Sequence, residues 1–478
     1  MRLRMGEVAD SLGSACGVPE EVVQGYSIDS RSIQAGELFF ALRGPRFDGH
    51  EFVGAALDRG AVGAVVSEAF AASCSPSLRP ALIPVGDTLQ ALQQLARSVR
   101  RKWGKQVVAV TGSTGKTTTK EMIAALLGER LAVHKSPGNL NNYYGLPLAL
   151  LALEPHHDVA VLELAMSAPS EIARLSQISE PQVGVVTNVA PVHLQFFESV
   201  EAIARAKHEL IENLQPPATA VLNHDDARVR RFADGFAGRV VTFGFGEGAD
   251  FRGWGLDAVP NRGSQFWVTG AGADALFHLP LPGRYDVANA LAAIATASLF
   301  EVPIEKLRNA LAAFQNVHQR SEILALPGEV TVINDCYNSN PLAMEQALEM
   351  LGAWSGARRK IVVAGEMLEL GPTSPQLHRE VGRKCVEAGV DWLLAVRGGA
   401  RFFLEGAIEK GLPAGQAHFF DNADEVGQFC RALLQPGDVI LIKGSRAVQL
   451  ESVVELLSGL SAPKARHAPV PTAGPPPE

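Results

Sequence analysis

The stretch Gln106-Val107-Val108-Ala109-Val110-Thr111-Gly112-Ser113-Thr114-Gly115-Lys116-Thr117-Thr118-Thr119 decides the fold. Residues 106–110 are a short apolar run, the pattern of a strand buried on both faces. Residues 117–127 carry a helical pattern, so the two glycines fall in a turn joining strand to helix. Glycines in such a turn let backbone N–H groups crowd around phosphate oxygens, and the helix N-terminus adds a favourable dipole. The strict GxxxxGK[ST] pattern would need glycine at 110, where this chain has Val110, leaving the shortened form GxxGKT. Thr111, Gly112, Ser113, Thr114, Gly115, Lys116, Thr117 and Thr118 are therefore expected to cradle a nucleotide. Lys116 would neutralise the β/γ-phosphates, and a hydroxyl of Thr117 or Thr118 would reach Mg²⁺.

Outward from this turn, apolar β-rich runs alternate with helical patterns, which predicts an α/β protein with parallel sheets. Further strands are expected at 158–164, 183–189, 219–222 and 240–243, an antiparallel ribbon over 250–281 and a helix over 286–300. A later set of strands falls at 330–334, 360–364, 392–396 and 439–442. Before the turn, short strands at 38–42 and 63–67 and a helix at 51–59 lead to a helix at 89–101, which bridges into the second domain. The expected division is 1–86, 87–318 and 319–460, followed by a proline-rich disordered tail, 461–478. A length of 478 residues suits three domains, each with its own core.

Composition excludes several classes. The formal charge of −8 argues against broad phosphate neutralisation of a nucleic acid. Five scattered cysteines form no CxxC pair, so neither a zinc ribbon nor a disulfide framework is expected. The first residues lack the apolar core of a secretory signal, and no run is long enough to span a bilayer. A cytoplasmic location without membrane insertion is the expectation.

In open α/β sheets ligands bind beyond the carboxyl ends of the strands. Glu163 ends one such run, Asn188 another, and His193 follows shortly after. A carboxylate and an imidazole near a triphosphate are suitable ligands for a second Mg²⁺. Lys207 lies on the helix expected over 199–213.

These segments together resemble the Mur ligases of peptidoglycan assembly. The resemblance covers nearly the whole chain: TGSTGKTTTKE (111–121), GNLNNYYGLPLALL (138–151), VLEL (161–164), TNVAPVHL (187–194), RAKHEL (205–210), HQRSE (318–322), NDCYNSNP (334–341), GEMLELG (365–371) and KGSRA (443–447). It implies an N-terminal α/β UDP-binding domain, a central P-loop ATPase-type parallel sheet and a C-terminal Rossmann-like domain. The implied chemistry is ATP-dependent, ADP-forming amide ligation through an acyl phosphate. YNSNP at 337–341 and KGSR at 443–446 resemble the branch that adds D-alanyl-D-alanine to a UDP-linked muramoyl tripeptide. A branch adding a diamino acid remains an alternative, as does a non-catalytic P-loop regulator.

By the same resemblance, Lys116, His193, Arg320 and Lys207 are the catalytic set, with Lys207 carbamylated so that it joins Thr117, Thr118, Glu163 and His193 around Mg²⁺. Asn289, Arg320, Asp335 and Asn338 would contact ATP. Ser30, Arg31, Arg43, Asp48, Gly49 and His50 match the loops that bracket UDP, and Asn340 and Lys443 are weaker candidates for the dipeptide. The protein is expected to act as a monomer. One departure stands out: the family's usual HN before V-x-N is Tyr285-Asp286 here, ahead of Val287-Ala288-Asn289, which places the purine contact in question.

Overall fold

The strand Gln106–Thr111 pairs in parallel with Val159–Glu163 on one side and Val183–Val186 on the other, inside a nine-stranded sheet. The computed structural model describes residues 1–459 apart from 45–46, 260–262, 271 and 316. Every residue of this strand after Gln106 is buried, because helices cover both faces of the sheet and an unbroken apolar run is what such a position requires. The chain leaves the strand's carboxyl end into the helix Lys116–Gly128. Its two neighbours are reached by different crossovers, so their ends diverge around that point and open a crevice.

The sheet continues through Thr219–Asn223 and Arg239–Gly244 and then turns antiparallel in Phe251–Val259, Gly263–Gly270 and Ala273–Leu279. The expected ribbon is thus present but is not free-standing, since Phe251 pairs with Phe243 and extends the central sheet. One face of the sheet is covered by Lys116–Gly128 and Arg284–Ser298, which share a core of Met122, Ile123, Leu127, Val287 and Leu291.

Ahead of this unit, four strands from Gly25–Ser27 to Leu82–Val85 form a parallel sheet in sequential order. The helix Thr88–Trp103 is capped by Asp87, whose carboxylate accepts from the N–H groups of Leu89 and Gln90. Its buried face (Leu92, Leu95, Val99) belongs to one core running from Leu3 and Phe40 through to Leu162 and Leu210. The expected bridge is therefore a packed joint. The helix expected over 51–59 is split into a 3-10 turn, Gly49–Phe52, and Val53–Asp58, because Asp48 caps the turn at His50.

The last unit is a six-stranded sheet, parallel apart from Glu322–Leu326, with a core on each face. The five cysteines are free thiols. The tail expected to be disordered, 461–478, lies outside the described residues.

Candidate active site

The loop after Thr111 is held by the segment following the neighbouring strand. Ser113 N–H donates to the Asn188 carbonyl at 2.9 Å, Thr114 N–H to Asn188 Oδ1 at 3.1 Å, and the Thr187 hydroxyl to the Thr114 carbonyl at 2.6 Å. Two glycines are obligatory by geometry. A Cβ at Gly112 would fall 1.8 Å from Thr187 Oγ1, and one at Gly115 would fall 2.3 Å from Asn289 Oδ1, with positive φ at both. Lys116 curls over the loop, donating to the carbonyls of Gly112 at 2.9 Å and Ser113 at 3.4 Å.

A chain of polar contacts crosses from this loop to the last unit. Arg320 Nη2 donates to Thr117 Oγ1 at 3.2 Å, and that hydroxyl donates to Glu163 Oε2 at 2.9 Å. Asn141 Nδ2 donates to the other oxygen, Glu163 Oε1, at 2.8 Å. The Arg320 guanidinium lies 4.0 Å from the centroid of the Tyr337 ring, which keeps its plane fixed by cation–π attraction. His193 is reached from the same unit: its Nδ1 and Glu369 Oε2 are 2.5 Å apart, a contact that holds the Glu369 carboxyl below its ordinary range.

These groups line one cavity of about 760 Å³ between the central sheet and the last unit. Ser113 to Thr118, Asn139, Asn141, Glu163, His193, Asp286, Arg320, Asp335, Tyr337 and Asn338 all reach it. Lys443 reaches it too, but its amine is committed, donating to Asp335 Oδ2 at 2.7 Å and the Asn338 carbonyl at 3.0 Å. Asn340 likewise spends its side-chain oxygen as the cap of helix Pro341–Gly352, accepting from Ala343 N–H at 2.9 Å.

Three ionisable groups in and behind the cavity wall have displaced pKa values. Burial lowers the Lys116 pKa, with Glu163 opposing and Arg320 reinforcing the shift. Lys207, on helix Val200–Glu212, is 2% exposed; burial, and then Lys116, drive its pKa well below the ordinary lysine value. Asp286 is 7% exposed, and burial followed by repulsion from Asp335 pushes its pKa up to about 7.

The donor set suits a hard divalent cation. Thr117 and Glu163 offer oxygen ligands side by side, and among the described residues no three His, Cys, Asp or Glu side chains converge. A cation here would take most of its ligands from phosphate and water, which is the habit of Mg²⁺.

Several residues expected to bind ligands lie outside this cavity. Thr111 is fully buried and donates to the Leu164 carbonyl, and Gly112 packs on Thr187; neither lines the cavity. Asn289 is 2% exposed, accepts from Thr119 Oγ1 at 3.2 Å and props Gly115 from beneath, so it shapes the loop instead of lining the cavity. Lys207 also lies outside the cavity lining. Ser30, Arg31, Arg43, Asp48, Gly49 and His50 sit in the first unit, away from this cavity. There Arg31 pairs with Asp29, Arg43 with Asp48, and His50 bridges Asp48 and Ser67 N–H. Sequence reasoning missed Asn141, Tyr337 and Glu369 as site residues, although each stands in a segment on which the resemblance rests.

A glycine loop at a sheet's switch point, faced by an arginine from a second α/β body, is the arrangement of a P-loop nucleotide-binding protein. Family models agree in sequence order: "Mur ligase family, catalytic domain" matches residues 22–100, "Mur ligase middle domain" 110–297, and "Mur ligase, glutamate ligase domain" 319–446. The chain belongs to the Mur ligase family. It is 35% identical to the UDP-N-acetylmuramoyl-tripeptide–D-alanyl-D-alanine ligase of Bacillus subtilis over 91% of this chain and 93% of that one. MurF from Acinetobacter baumannii superposes with a TM-score of 0.85 at 30% identity, covering 96% and 99% of the two chains. MurF from Thermotoga maritima, solved with ADP, gives 0.80 at 29% identity, covering 91% and 97%.

Proposed function

We propose that this protein joins D-alanyl-D-alanine to a UDP-N-acetylmuramoyl tripeptide, converting ATP to ADP and phosphate through an acyl phosphate. The observation that carries this reading is the near full-length match to ligases bearing that name, together with a cavity whose walls belong to two bodies. The first unit, up to about residue 86, would bind the UDP end through Ser30, Arg31, Arg43, Asp48, Gly49 and His50. The middle unit, to about 318, would bind ATP, and the last would complete the site. We place the enzyme in the cytoplasm as a monomer; among the described residues no helix is long and apolar enough to cross a membrane.

The chain's own residues have three tasks. The free N–H groups at the start of Lys116–Gly128 and the Lys116 amine hold the triphosphate and spread its charge. Arg320 supplies a second cation to the transferring phosphoryl group from the opposite wall, where developing negative charge is otherwise unopposed. Glu163, fixed by Thr117 and Asn141, with His193 lining the same cavity, would hold Mg²⁺, which when bound draws charge from the phosphoryl oxygens. With the carbonyl activated, the cavity excludes water so that the dipeptide amine attacks and phosphate leaves.

Lys207 is the remaining charge problem: a buried amine whose charge is disfavoured first by burial and then by another lysine, Lys116. A neutral amine is the form that adds CO₂, and carbamylation would turn an unfavourable cation into an anion facing Lys116. Native mass spectrometry of the intact protein, with activity measured against CO₂, tests this; an unmodified amine with CO₂-independent activity rejects it.

Purified protein given ATP and UDP-muramoyl tripeptide should release phosphate only when D-alanyl-D-alanine is added. Release with a diamino acid and the dipeptide precursor would favour the other branch. Turnover needing neither acid nor amine would favour a nucleotide-driven regulator.

A further inference from the structure

His193 and Glu369 face each other across the junction of the two bodies, and both are held in the left-handed backbone region, at φ +55° and +64°. Neither is glycine, so each conformation is strained and persists only where its surroundings impose it. For Glu369 the surroundings are explicit. Its loop is pinned to the last unit by Met367 N–H on His378 Nε2 at 3.0 Å and Leu368 N–H on the Ser445 hydroxyl at 3.0 Å. Met367 and Leu370 are buried at 1% and 2% exposure. Across the junction, Gln195 N–H donates to the Glu369 carbonyl at 3.1 Å, so backbone and side chain of one residue both grip the 193–195 turn.

The side-chain contact selects a tautomer. In the neutral ring a carboxylate at Nδ1 takes the proton of that nitrogen in a hydrogen bond, and this leaves Nε2, which has no hydrogen bond among the described residues, as the lone-pair nitrogen. His193 lines the cavity that holds Lys116, Thr117 and Glu163. We propose that Glu369 is a positioning residue: carried in by the last unit, it sets the orientation and tautomer of His193, so that the imidazole presents an acceptor nitrogen to the phosphate site only when the two bodies meet. The role of that acceptor rests on the ligase reading above; the tautomer does not.

The test uses the full chain labelled with ¹⁵N-histidine, with H193Q to assign the signal and ADP as the probe. The wild type should show His193 protonated at Nδ1, E369A should lose that preference, and E369Q, whose amide oxygen still accepts, should keep it. In steady-state assays E369A should lower kcat about 10- to 100-fold, with the KM for ATP changed less than about threefold, and E369Q should recover most of the loss. Should E369A unfold, E369D withdraws the oxygen by one methylene and serves the same comparison. An Nε2-protonated wild type, or an E369A signal identical to wild type, overturns the proposal. So does an E369A enzyme with raised KM values and an unchanged kcat, which would make the contact a clasp alone. If no ligase mixture turns over, the tautomer arm still decides the matter.

Discussion

Arg320 and Thr117 meet at 3.2 Å across the boundary between the last unit and the central sheet. The arginine therefore touches the residue that follows Lys116 in the phosphate loop. Replacing Arg320 with alanine should lower kcat by about 10²- to 10³-fold, with a smaller effect on the KM for ATP, because the cation is needed most as charge develops. Steady-state kinetics on both substrates checks this. A pure KM effect would mean that Arg320 only helps to bind.

Lys116→Ala should abolish measurable turnover while leaving the circular dichroism spectrum and the cooperative melt in place. Burial disfavours the charge on this amine, so its loss is tolerated by the fold. An active Lys116→Ala enzyme would remove the phosphate loop from the mechanism.

Gly115→Ala probes the loop's shape. The added methyl would fall 2.3 Å from Asn289 Oδ1 and 2.4 Å from the Tyr285 hydroxyl, at φ +79°. The expected result is nucleotide affinity reduced at least about tenfold, alongside about 1–3 kcal/mol of destabilisation. Calorimetric titration with ADP and a denaturant melt measure the two effects separately. Wild-type values in both would show that the loop relaxes freely.

Asp286 should make stability depend on pH. Its carboxyl titrates near 7 in the folded chain against about 4 unfolded. Between those values the folded state binds more protons, so stability falls as pH rises from about 4 to about 7 and stays lowered above it. Asp286→Asn removes the titration and should raise the melting temperature relative to wild type at pH 8, but little at pH 4.5. The difference is bounded at about 4 kcal/mol. An equal gap at both values would assign the effect to packing.

Much of this was legible beforehand because the central unit writes its structure in long-range-independent signals. The apolar run at 106–110, the glycine spacing and the following helix are local and put Lys116 and Thr117 where they are found, as the run at 158–164 does for Glu163. The first unit was harder to read: strands such as Val22–Val23 and Gly25–Ser27 are two or three residues long, too short to show a period. Asn289 is expected at the nucleotide from its place in a motif, and its position against Gly115 is a matter of tertiary packing that no local pattern shows. Glu369 could not be paired with His193 from sequence, since 176 positions separate them and only the docking of two bodies brings them together.

The division of the cavity's walls between two bodies has an economic side. If the proposed roles hold, ATP on the loop alone would face a half-built centre, lacking the Arg320 guanidinium and the Glu369 carboxylate that the last unit brings. On the proposed reading, idle hydrolysis would lack its arginine whenever the final α/β unit stood apart from the loop, so the same contact that completes the site would also guard the nucleotide.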